Sequence, residues 1–457
     1  MRKRIQPLPL LILPLIMLLG CERFLEEKSD KRLAIPTTIE DFQAMLNNHN
    51  DNSNDYVGSG EVSADDYYLL DADLSALAFE SDRRLYTWQP DYVSRPQASA
   101  GNEWFHCYRG IFTCNSILKG LEENNLTGIR AENIRGQALV FRAFRYLDGV
   151  QVWAPAYNRQ TADSDLGMVL RVDPDMNIPS VRSSVQDTYN LIINDLTVAL
   201  PLLPVEPSNT ALPAKSAAHG LLARTYLNMG EYEKALSHAQ NALQLTNARV
   251  IDFNTLDSNA NFPIPTTNNI SEETILWTNI NYAYPLRQSV AKINPVLYNM
   301  YDDGDLRKVI YFMENTDGTH SFKGTHAGGQ GLKNILTPAE MLLIIAECNI
   351  RLGNLSEASE SLNQLLIKRW QTDEFTPLIF TDQETALQII LEERRKELLM
   401  RGLRWPDIKR LNRDGYNITL TRTVNGQTIT LPPNDLRYAI AIPEEVIEIG
   451  RVQQNPR

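Results

Sequence analysis

The densest group of ionisable side chains lies between residues 392 and 410. Three of its four carboxylic acids, Glu392, Glu393 and Glu397, lie close together and are interspersed with Arg and Lys. A glycoside hydrolase needs two carboxyl groups that face each other across a sugar, with one of them held protonated. These acids instead share one predicted helix, on which Glu392–Lys396 and Glu397–Arg401 have the i,i+4 spacing of helix ion pairs. The pattern predicts a partly buried ion-pair network and no catalytic residue.

The other residue types that commonly do chemistry are dispersed along the chain. The sequence lacks an HExxH zinc motif, a Walker phosphate loop, a nucleophile elbow and a dinucleotide glycine motif. His106 and Cys107 are the one tight pair of metal-ligand types, and they lie on a predicted helix. Cys107, Cys114 and Cys348 are predicted to be small buried hydrophobic residues. We therefore predict a protein without a metal and without a cofactor.

Composition narrows the class of protein. The chain has 457 residues and a formal net charge of -12, from 56 acidic and 44 basic residues. Nucleic acid is excluded as a partner because a phosphate backbone requires a basic face. The 43% hydrophobic and 22% charged residues are typical of a globular body. The 4 Cys are too few for a disulfide framework.

The first twenty residues have the layout of a secretory signal peptide. Arg2, Lys3 and Arg4 precede an apolar run that ends at Gly20, before Cys21. The run is interrupted by prolines and is too short to span a bilayer. Leu18-Leu19-Gly20-Cys21 resembles a bacterial lipobox, which implies cleavage before Cys21 and acylation of Cys21. Residues 21–38 are predicted to be a flexible lipid tether.

The remaining chain, 39–457, is predicted to be a single, mostly α domain. Apolar residues recur at the helical period over 104–121, 131–153, 185–200, 215–245, 337–370 and 383–412. Asn425-Gly426 between two short alternating runs predicts a β-hairpin. Two windows, 215–245 and 338–368, carry small residues and a glycine at matching offsets that resemble tetratricopeptide helix pairs. Segments near 50–100 and 247–335 are polar and turn-rich, and they predict a loop-rich ligand face.

The charged segment also carries a family resemblance. The residues that fill its pattern are Glu393, Arg394, Glu397, Leu398, Gly402, Arg404, Asp407, Ile408 and Arg410. This order resembles the signature of the SusD/RagB family, although Met400-Arg401 and Pro406 depart from its usual residues. Agreement extends to Trp104 and Tyr108 on one helix, to 142–147 on the next and to Ala339-Glu340 at 337–347.

The resemblance implies a surface lipoprotein that captures nutrient and is not an enzyme. Relatives cover a TonB-dependent outer-membrane barrel and bind oligosaccharides or, in some cases, peptides. Acidic residues directly after Cys21 resemble the surface-export signal of Bacteroidetes lipoproteins, which implies an outer-membrane protein facing the cell exterior. The alternatives left open are the same architecture binding peptides, and, more remotely, a tetratricopeptide adaptor or a surface hydrolase.

The ligand residues of the family lie in no transferable motif. The expected ligand contacts are therefore the aromatic residues of the predicted loops. Flat aromatic rings stack on the apolar faces of sugars, and amides bond to the hydroxyl groups. The candidates are Tyr67, Tyr68, Trp88, Trp277, Tyr282 and Tyr284. Trp104, Trp153, Trp370 and Trp405 lie on or near predicted helices and are assigned to the core.

Overall fold

A computed structural model describes residues 35–91, 102–281 and 283–457. The predicted signal peptide, the lipidation residue Cys21, most of the 21–38 tether and Tyr282 lie outside these residues. The described part of the chain is mostly helical, and its strands are two to five residues long. The fold class predicted from the hydrophobic period is therefore confirmed.

The helices fall into long elements, which form a scaffold, and short ones in the connecting segments. In chain order they are α1 (Ile39–Leu46), α2 (His49–Asn52), α3 (Ser59–Ser63), α4 (Asp71–Ser75), α5 (Glu80–Tyr86), α6 (Glu103–Glu123), α7 (Ile129–Trp153), α8 (Val185–Leu202), α9 (Lys215–Met229), α10 (Tyr232–Leu245), α11 (Pro295–Tyr298), α12 (Arg307–Ile310), α13 (Pro338–Arg351), α14 (Leu355–Leu366), α15 (Gln383–Glu397), α16 (Arg404–Arg413) and α17 (Glu444–Gly450).

The strands pair into antiparallel two-stranded ladders. They are β1 (Tyr67–Tyr68) with β6 (Lys292–Ile293), β2 (Leu166–Val169) with β3 (Arg182–Ser184), β4 (Thr266–Thr267) with β5 (Ile270–Ser271), β7 (Phe312–Glu314) with β8 (His320–Phe322), and β9 (Leu420–Val424) with β10 (Gln427–Leu431). The last pair turns at Asn425 and Gly426, both at positive φ, so the predicted hairpin is confirmed.

The long helices pack into one continuous scaffold, comprising α6–α10 and α13–α16. Helix α7 packs against α6 and α8, α10 packs against α9 and α13, and α13 packs against α14 and α15. The sequence repeat predicts two helix pairs, and the structure has them as α9–α10 and α13–α14. Each pair turns at a glycine, Gly230 and Gly353, whose positive φ values of 78° and 85° suit that residue. Trp104, Trp153 and Trp405 are buried as predicted, whereas Trp370 is only half-buried.

The window 383–412 is not one helix. Helix α15 ends at Glu397 and α16 begins at Arg404, and the turn between them holds Met400 and Gly402 at φ values of 58° and 74°. A left-handed conformation cannot continue a right-handed helix, which explains the break. The turn itself carries the apolar residues Leu398, Leu399 and Leu403, so the hydrophobic period alone could not reveal the break.

The two loop-rich segments predicted to form the ligand face meet each other in the structure. We call residues 47–91 and 247–335 together the loop face. The Asn279 N–H donates to the Ser53 carbonyl at 2.8 Å, and Tyr56 forms a parallel bridge with Ile280. Further along, β1 pairs with β6, and the Asn294 N–H donates to the Asp66 carbonyl at 2.9 Å. Segments more than two hundred residues apart in sequence thus form one surface.

Candidate functional site

The charged signature segment anchors the loop face to the scaffold. Asp65, just before β1, accepts from Arg404 Nε at 2.7 Å and pairs with Arg395 at 3.1 Å. Asp66 accepts from Arg395 Nε at 2.8 Å. These side chains are all largely buried, so the charges satisfy one another away from water. The signature arginines therefore fix the position from which Tyr67 and Tyr68 emerge.

A second group of buried ion pairs anchors the 247–335 part of the loop face. Arg307 pairs with Asp305 at 2.7 Å and with Glu393 at 2.5 Å. Arg369 pairs with Glu397 at 2.7 Å and with Glu273 at 2.8 Å. Burial acts to lower the pKa of Arg369, but the two glutamates outweigh it and raise that pKa. The network joins α15 to loop segments at 273, 305 and 369.

The predicted ion-pair network is present, but its partners are different from those expected. Lys396 pairs with Glu393 and Asp305 instead of Glu392. Arg401 lies beyond the end of α15 and donates to the Ile335 carbonyl. The i,i+4 expectation failed because Lys396 and Arg401 are buried while Glu392 is exposed, and buried charges pair with groups that face them across the packed elements.

The rest of the signature stabilises α16 within the scaffold. Asp407 accepts from Arg394 at 2.8 Å and from Arg410 at 2.7 Å, and Arg410 also pairs with Glu347 of α13 at 2.6 Å. The Gly402 N–H donates to Glu61 Oε2 at 2.8 Å. Each of these signature residues thus makes a buried contact between elements.

Two of the six candidate ligand residues are buried in the core. Tyr67 and Trp88 are 2% and 4% exposed, and their polar atoms donate to the carbonyls of Val62 and Ser63 at 2.7 and 2.9 Å. The Arg422 guanidinium lies against both rings, at 5.1 and 4.9 Å from their centroids. Because neither ring presents a free face, we leave both out of the site proposed below.

Tyr68 and Tyr284 are half-buried; Tyr68 lies in β1, which pairs with β6, and Tyr284 lies eight residues before β6. The Arg287 guanidinium lies 4.0 Å from the centroid of the Tyr284 ring. The turn at 284–286 contacts α5. These residues remain candidates for ligand contact, whereas Tyr282 lies outside the described residues.

Trp277 lies in a separate polar cluster, which we call the Trp277 site and define as Trp277, Lys333, Asn279, Asn54 and His49. The Trp277 ring is half-buried, with Lys333 Nζ 4.5 Å from its centroid and the His49 ring edge-on at 5.7 Å. Lys333 Nζ donates to Asn279 Oδ1, and Asn279 Nδ2 donates to Asn54 Oδ1. Three distant segments therefore combine a flat ring with amide and ammonium groups.

Backbone contacts hold this cluster in place. The Trp277 N–H donates to the Thr210 carbonyl at 3.2 Å, and the indole Nε1 donates to the Asn269 carbonyl at 3.2 Å. Asn279 and Lys333 face each other as a bridge pair. Sequence reasoning found Trp277 from its loop context but missed Lys333 and Asn54. No local signal places residues 54 and 333 beside 277.

An apolar groove of about 640 Å³ lies elsewhere, between the first half of α6 and the C-terminal segment. Phe105, Phe112 and Met176 contribute to its wall, and Phe112 and Met176 are 44% and 78% exposed. The helical period alone does not show this groove, because its opposite wall comes from residues more than 330 positions away.

Another side-chain arrangement has the residue types of a hydrolase triad. Ser271 Oγ lies 3.0 Å from His326 Nδ1, and His326 Nε2 lies 3.9 Å from Glu273 Oε2. All three are at most 6% exposed, and burial lowers the pKa of His326 to about 3. Glu273 is already paired with Arg369. A buried serine with no access for a substrate gives no support to catalysis at this point.

Neither a metal cluster nor a membrane-spanning helix is present among the described residues. They contain no group of three or more His, Cys, Asp or Glu side chains placed to hold a metal ion. No helix in 35–91, 102–281 or 283–457 is long and apolar enough to cross a membrane.

The sequence matches two models of one family. The model described as "Starch-binding associating with outer membrane" matches residues 23–227, and the model described as "SusD family" matches residues 315–445. SusD-like protein P2 of Formosa agariphila is 27% identical in an alignment of length 367 that covers 67% of this chain and 71% of that protein. SusD-like protein P38 of the same organism is 22% identical in an alignment of length 411 that covers 71% of this chain and 74% of that protein.

Solved structures share the fold. A SusD superfamily protein from Bacteroides thetaiotaomicron superposes with a TM-score of 0.72 at 22% identity, covering 92% of this chain and 100% of that one. A SusD-like carbohydrate binding protein from Bacteroides vulgatus superposes with a TM-score of 0.67 at 20% identity, covering 91% and 97%. At these identities the likeness shows the fold alone.

Proposed function

The chain belongs to the SusD/RagB family, and on this premise we propose that it is a cell-surface lipoprotein that captures a nutrient glycan. In this proposal it delivers the glycan to a TonB-dependent outer-membrane barrel and performs no chemistry on it. The family description, starch binding with association to the outer membrane, supports the class of ligand and the location. A rigid helical scaffold that carries a variable loop surface suits recognition.

The observation that carries the proposal is the Trp277 site. A half-buried indole offers a flat apolar surface, and the neighbouring Asn279 and Asn54 amides can exchange hydrogen bonds with hydroxyl groups. Such a combination fits a sugar ring, which has one apolar face and an equatorial belt of hydroxyls. Tyr68 and Tyr284 would extend contact along the same loop face to further sugar units.

The charged residues support a role in binding rather than catalysis. The acids of the signature segment that could act as general acid or base are held in buried pairs with arginines, for example Glu397 with Arg369 at 2.7 Å. A glycosidase needs two carboxyl groups that face a common substrate. The signature carboxylates instead face arginines and lysines of the protein.

Native affinity electrophoresis of the soluble body, residues 22–457, tests the ligand class. The gels would contain a panel of neutral and acidic polysaccharides, and one lane would be pre-mixed with a peptide digest. We expect retardation by at least one polysaccharide. We also expect Trp277→Ala to weaken that binding by about 1–3 kcal/mol, as loss of a stacking anchor does. Tyr416→Ala is the matched control, because Tyr416 is 42% exposed and lies outside the loop face.

The outcomes separate the candidates. Unchanged affinity in Trp277→Ala would reject the Trp277 site as the sugar contact. Retardation relieved by the peptide digest, or a shift with peptide alone, would favour the peptide-binding alternative. Measurable sugar release from the retained polysaccharide would favour a hydrolase.

The anchor and the barrel partner need their own test. We expect full-length protein to fractionate with outer membranes and to be cleaved by protease added to intact cells. Cys21→Ser should lower the amount of protein in the outer-membrane fraction, because acylation of a lipobox requires the Cys21 thiol. We expect a TonB-dependent barrel to co-purify in stoichiometric amount after mild detergent extraction. Recovery of the protein without a barrel would contradict the delivery step.

A further inference from the structure

Lys333 carries a positive charge that the described protein does not neutralise. It is 5% exposed, yet among the described residues it makes one hydrogen bond, to the neutral Asn279 amide, and no ion pair. An ammonium group has three N–H donors. This lysine therefore has further N–H donors, and its Nζ lies over the Trp277 ring, 4.5 Å from the centroid.

The carboxylates on either side of Asn54 in the sequence are already engaged with other partners. Asp51 pairs with Arg109 at 2.9 Å, and Asp55 lies 4.0 Å from the same guanidinium and 3.4 Å from His106 Nδ1. The Asn281 amide also donates to Asp55 at 3.2 Å. The acids nearest to Asn54 in sequence are thus committed to partners other than Lys333. The protein as a whole is negative, but the Trp277 site has an unmatched cation.

Burial destabilises the charged form of Lys333 as long as no anion is paired with it. Desolvation alone lowers the pKa of Lys333 to about 8, and no carboxylate opposes the shift. Most molecules still carry the charge at neutral pH. An incoming carboxylate or sulfate would restore the electrostatic partner that the protein lacks, and charge-assisted hydrogen bonds are the strong ones.

We infer that the Trp277 site selects acidic glycans, with Lys333 bound to a sugar carboxylate or sulfate while the sugar ring stacks on Trp277. This inference rests on the proposed function and names its substrate class. The three groups act on different parts of one sugar unit. Trp277 contacts the apolar face, Asn279 and Asn54 form hydrogen bonds with hydroxyl groups, and Lys333 pairs with the carboxylate or sulfate.

The test compares polymers that differ in charge and share a backbone. The pairs are polygalacturonate with its methyl ester, alginate with its propylene glycol ester, and chondroitin sulfate with desulfated, methyl-esterified chondroitin. Binding would be measured by affinity electrophoresis and confirmed by calorimetry. We expect the acidic member of at least one pair to bind about ten- to a hundredfold more tightly than its neutral partner, the range of a hydrogen bond to a charged group.

Two lysine variants separate a local contact from the overall charge. Lys333→Met keeps an apolar stem against Trp277 and removes the charge. Lys234→Met removes an equal charge from the scaffold, where Lys234 pairs with Glu231 at 3.2 Å. We expect Lys333→Met to lose the acidic preference and retain weak binding of the neutral polymer. Lys234→Met should keep the preference.

Each other result overturns a defined statement. Equal binding of both members of every pair, or equal losses in the two lysine variants, would overturn the inference. Retention in neutral polymers only, with Trp277 dependence, would overturn it and leave the proposed glycan capture standing. Retardation in no polysaccharide gel would contradict the proposed function itself. Circular dichroism of Lys333→Met confirms that a lost preference does not reflect unfolding.

Discussion

Glu61 makes the stability of this protein sensitive to alkaline pH. It is 1% exposed, and burial raises its pKa from 4.5 to about 8, with neighbouring Asp66 adding to the effect. Its Oε2 accepts from the Gly402 N–H at 2.8 Å, and its Oε1 has no hydrogen-bond partner in the described protein. The protonated form is therefore the one that the folded protein holds at neutral pH.

The sign and the size of this pH effect follow from the difference between the folded and unfolded pKa of Glu61. A group whose folded pKa lies above its unfolded value contributes its full stability below about 4.5 and loses it as pH rises towards 8. Between pH 6 and pH 9 the wild-type protein should lose about 2.5 kcal/mol through this carboxyl, at about 1.4 kcal/mol per pH unit until the folded pKa is passed. Glu61→Gln imitates the protonated acid and should not undergo this loss.

Urea unfolding at pH 6, 7, 8 and 9 provides the assay. The measured quantity is the difference in unfolding free energy between Glu61→Gln and wild type at each pH, so the other titrating groups cancel. We expect this difference to grow in favour of the variant by about 2–3 kcal/mol from pH 6 to pH 9. Glu357→Gln, at an exposed site on α14, should run parallel to wild type. If the difference between Glu61→Gln and wild type stays constant from pH 6 to pH 9, Glu61 is not a buried acid that is protonated in the folded protein.

Two further perturbations act on the anchors of the loop face, and a third acts on an ion pair within the scaffold. Arg404→Met leaves Asp65 short of one partner in a buried setting, so it should cost about 3–5 kcal/mol in urea unfolding and increase cleavage of 50–91 in limited proteolysis; unchanged proteolysis would argue against the anchoring role. Gly402→Ala places a side chain at φ 74°, with its Cβ 3.3 Å from Ile280, and should cost about 1–3 kcal/mol; a smaller urea midpoint shift than that of Gly415→Ala would contradict this. Although burial opposes it, Arg410 lowers the pKa of Glu347 to about 2. Stability should therefore fall by about 3 kcal/mol as pH drops from 4.5 towards 2, and Glu347→Gln should flatten this acid limb in thermal melts.

The scaffold was predictable because its signal is local. Helices α6 and α8 bury one face along their length, and that face repeats in the sequence at a fixed period, whereas α7 is buried on all sides from Gly136 to Trp153. The β9–β10 hairpin follows from two residues, Asn425 and Gly426, that accept positive φ. The break after α15 was missed, since it depends on how Gly402 meets Glu61 from a distant helix.

The candidate site was only partly predictable. The loop location of Trp277 and Tyr284 is readable from composition, and both are half-buried in the loop face. Tyr67 and Trp88 occur in loops of the same polar character, yet their rings pack against Arg422 and are buried. Composition indicates which residues lie in loops, but it carries no information about which side chains pack against their rings.

The sequence by itself determined the family, the helical class, the absence of the common catalytic motifs and the importance of the signature charges. These depend on residue types at short spacings, where chain geometry leaves few choices. Only the tertiary structure decided which charges pair, which aromatic rings remain accessible and that Lys333 lies against Trp277 without a carboxylate. Lys333 and Trp277 are 56 positions apart, and Arg404 and Asp65 are 339 apart; loops of that length restrict their ends too weakly for spacing to predict a contact.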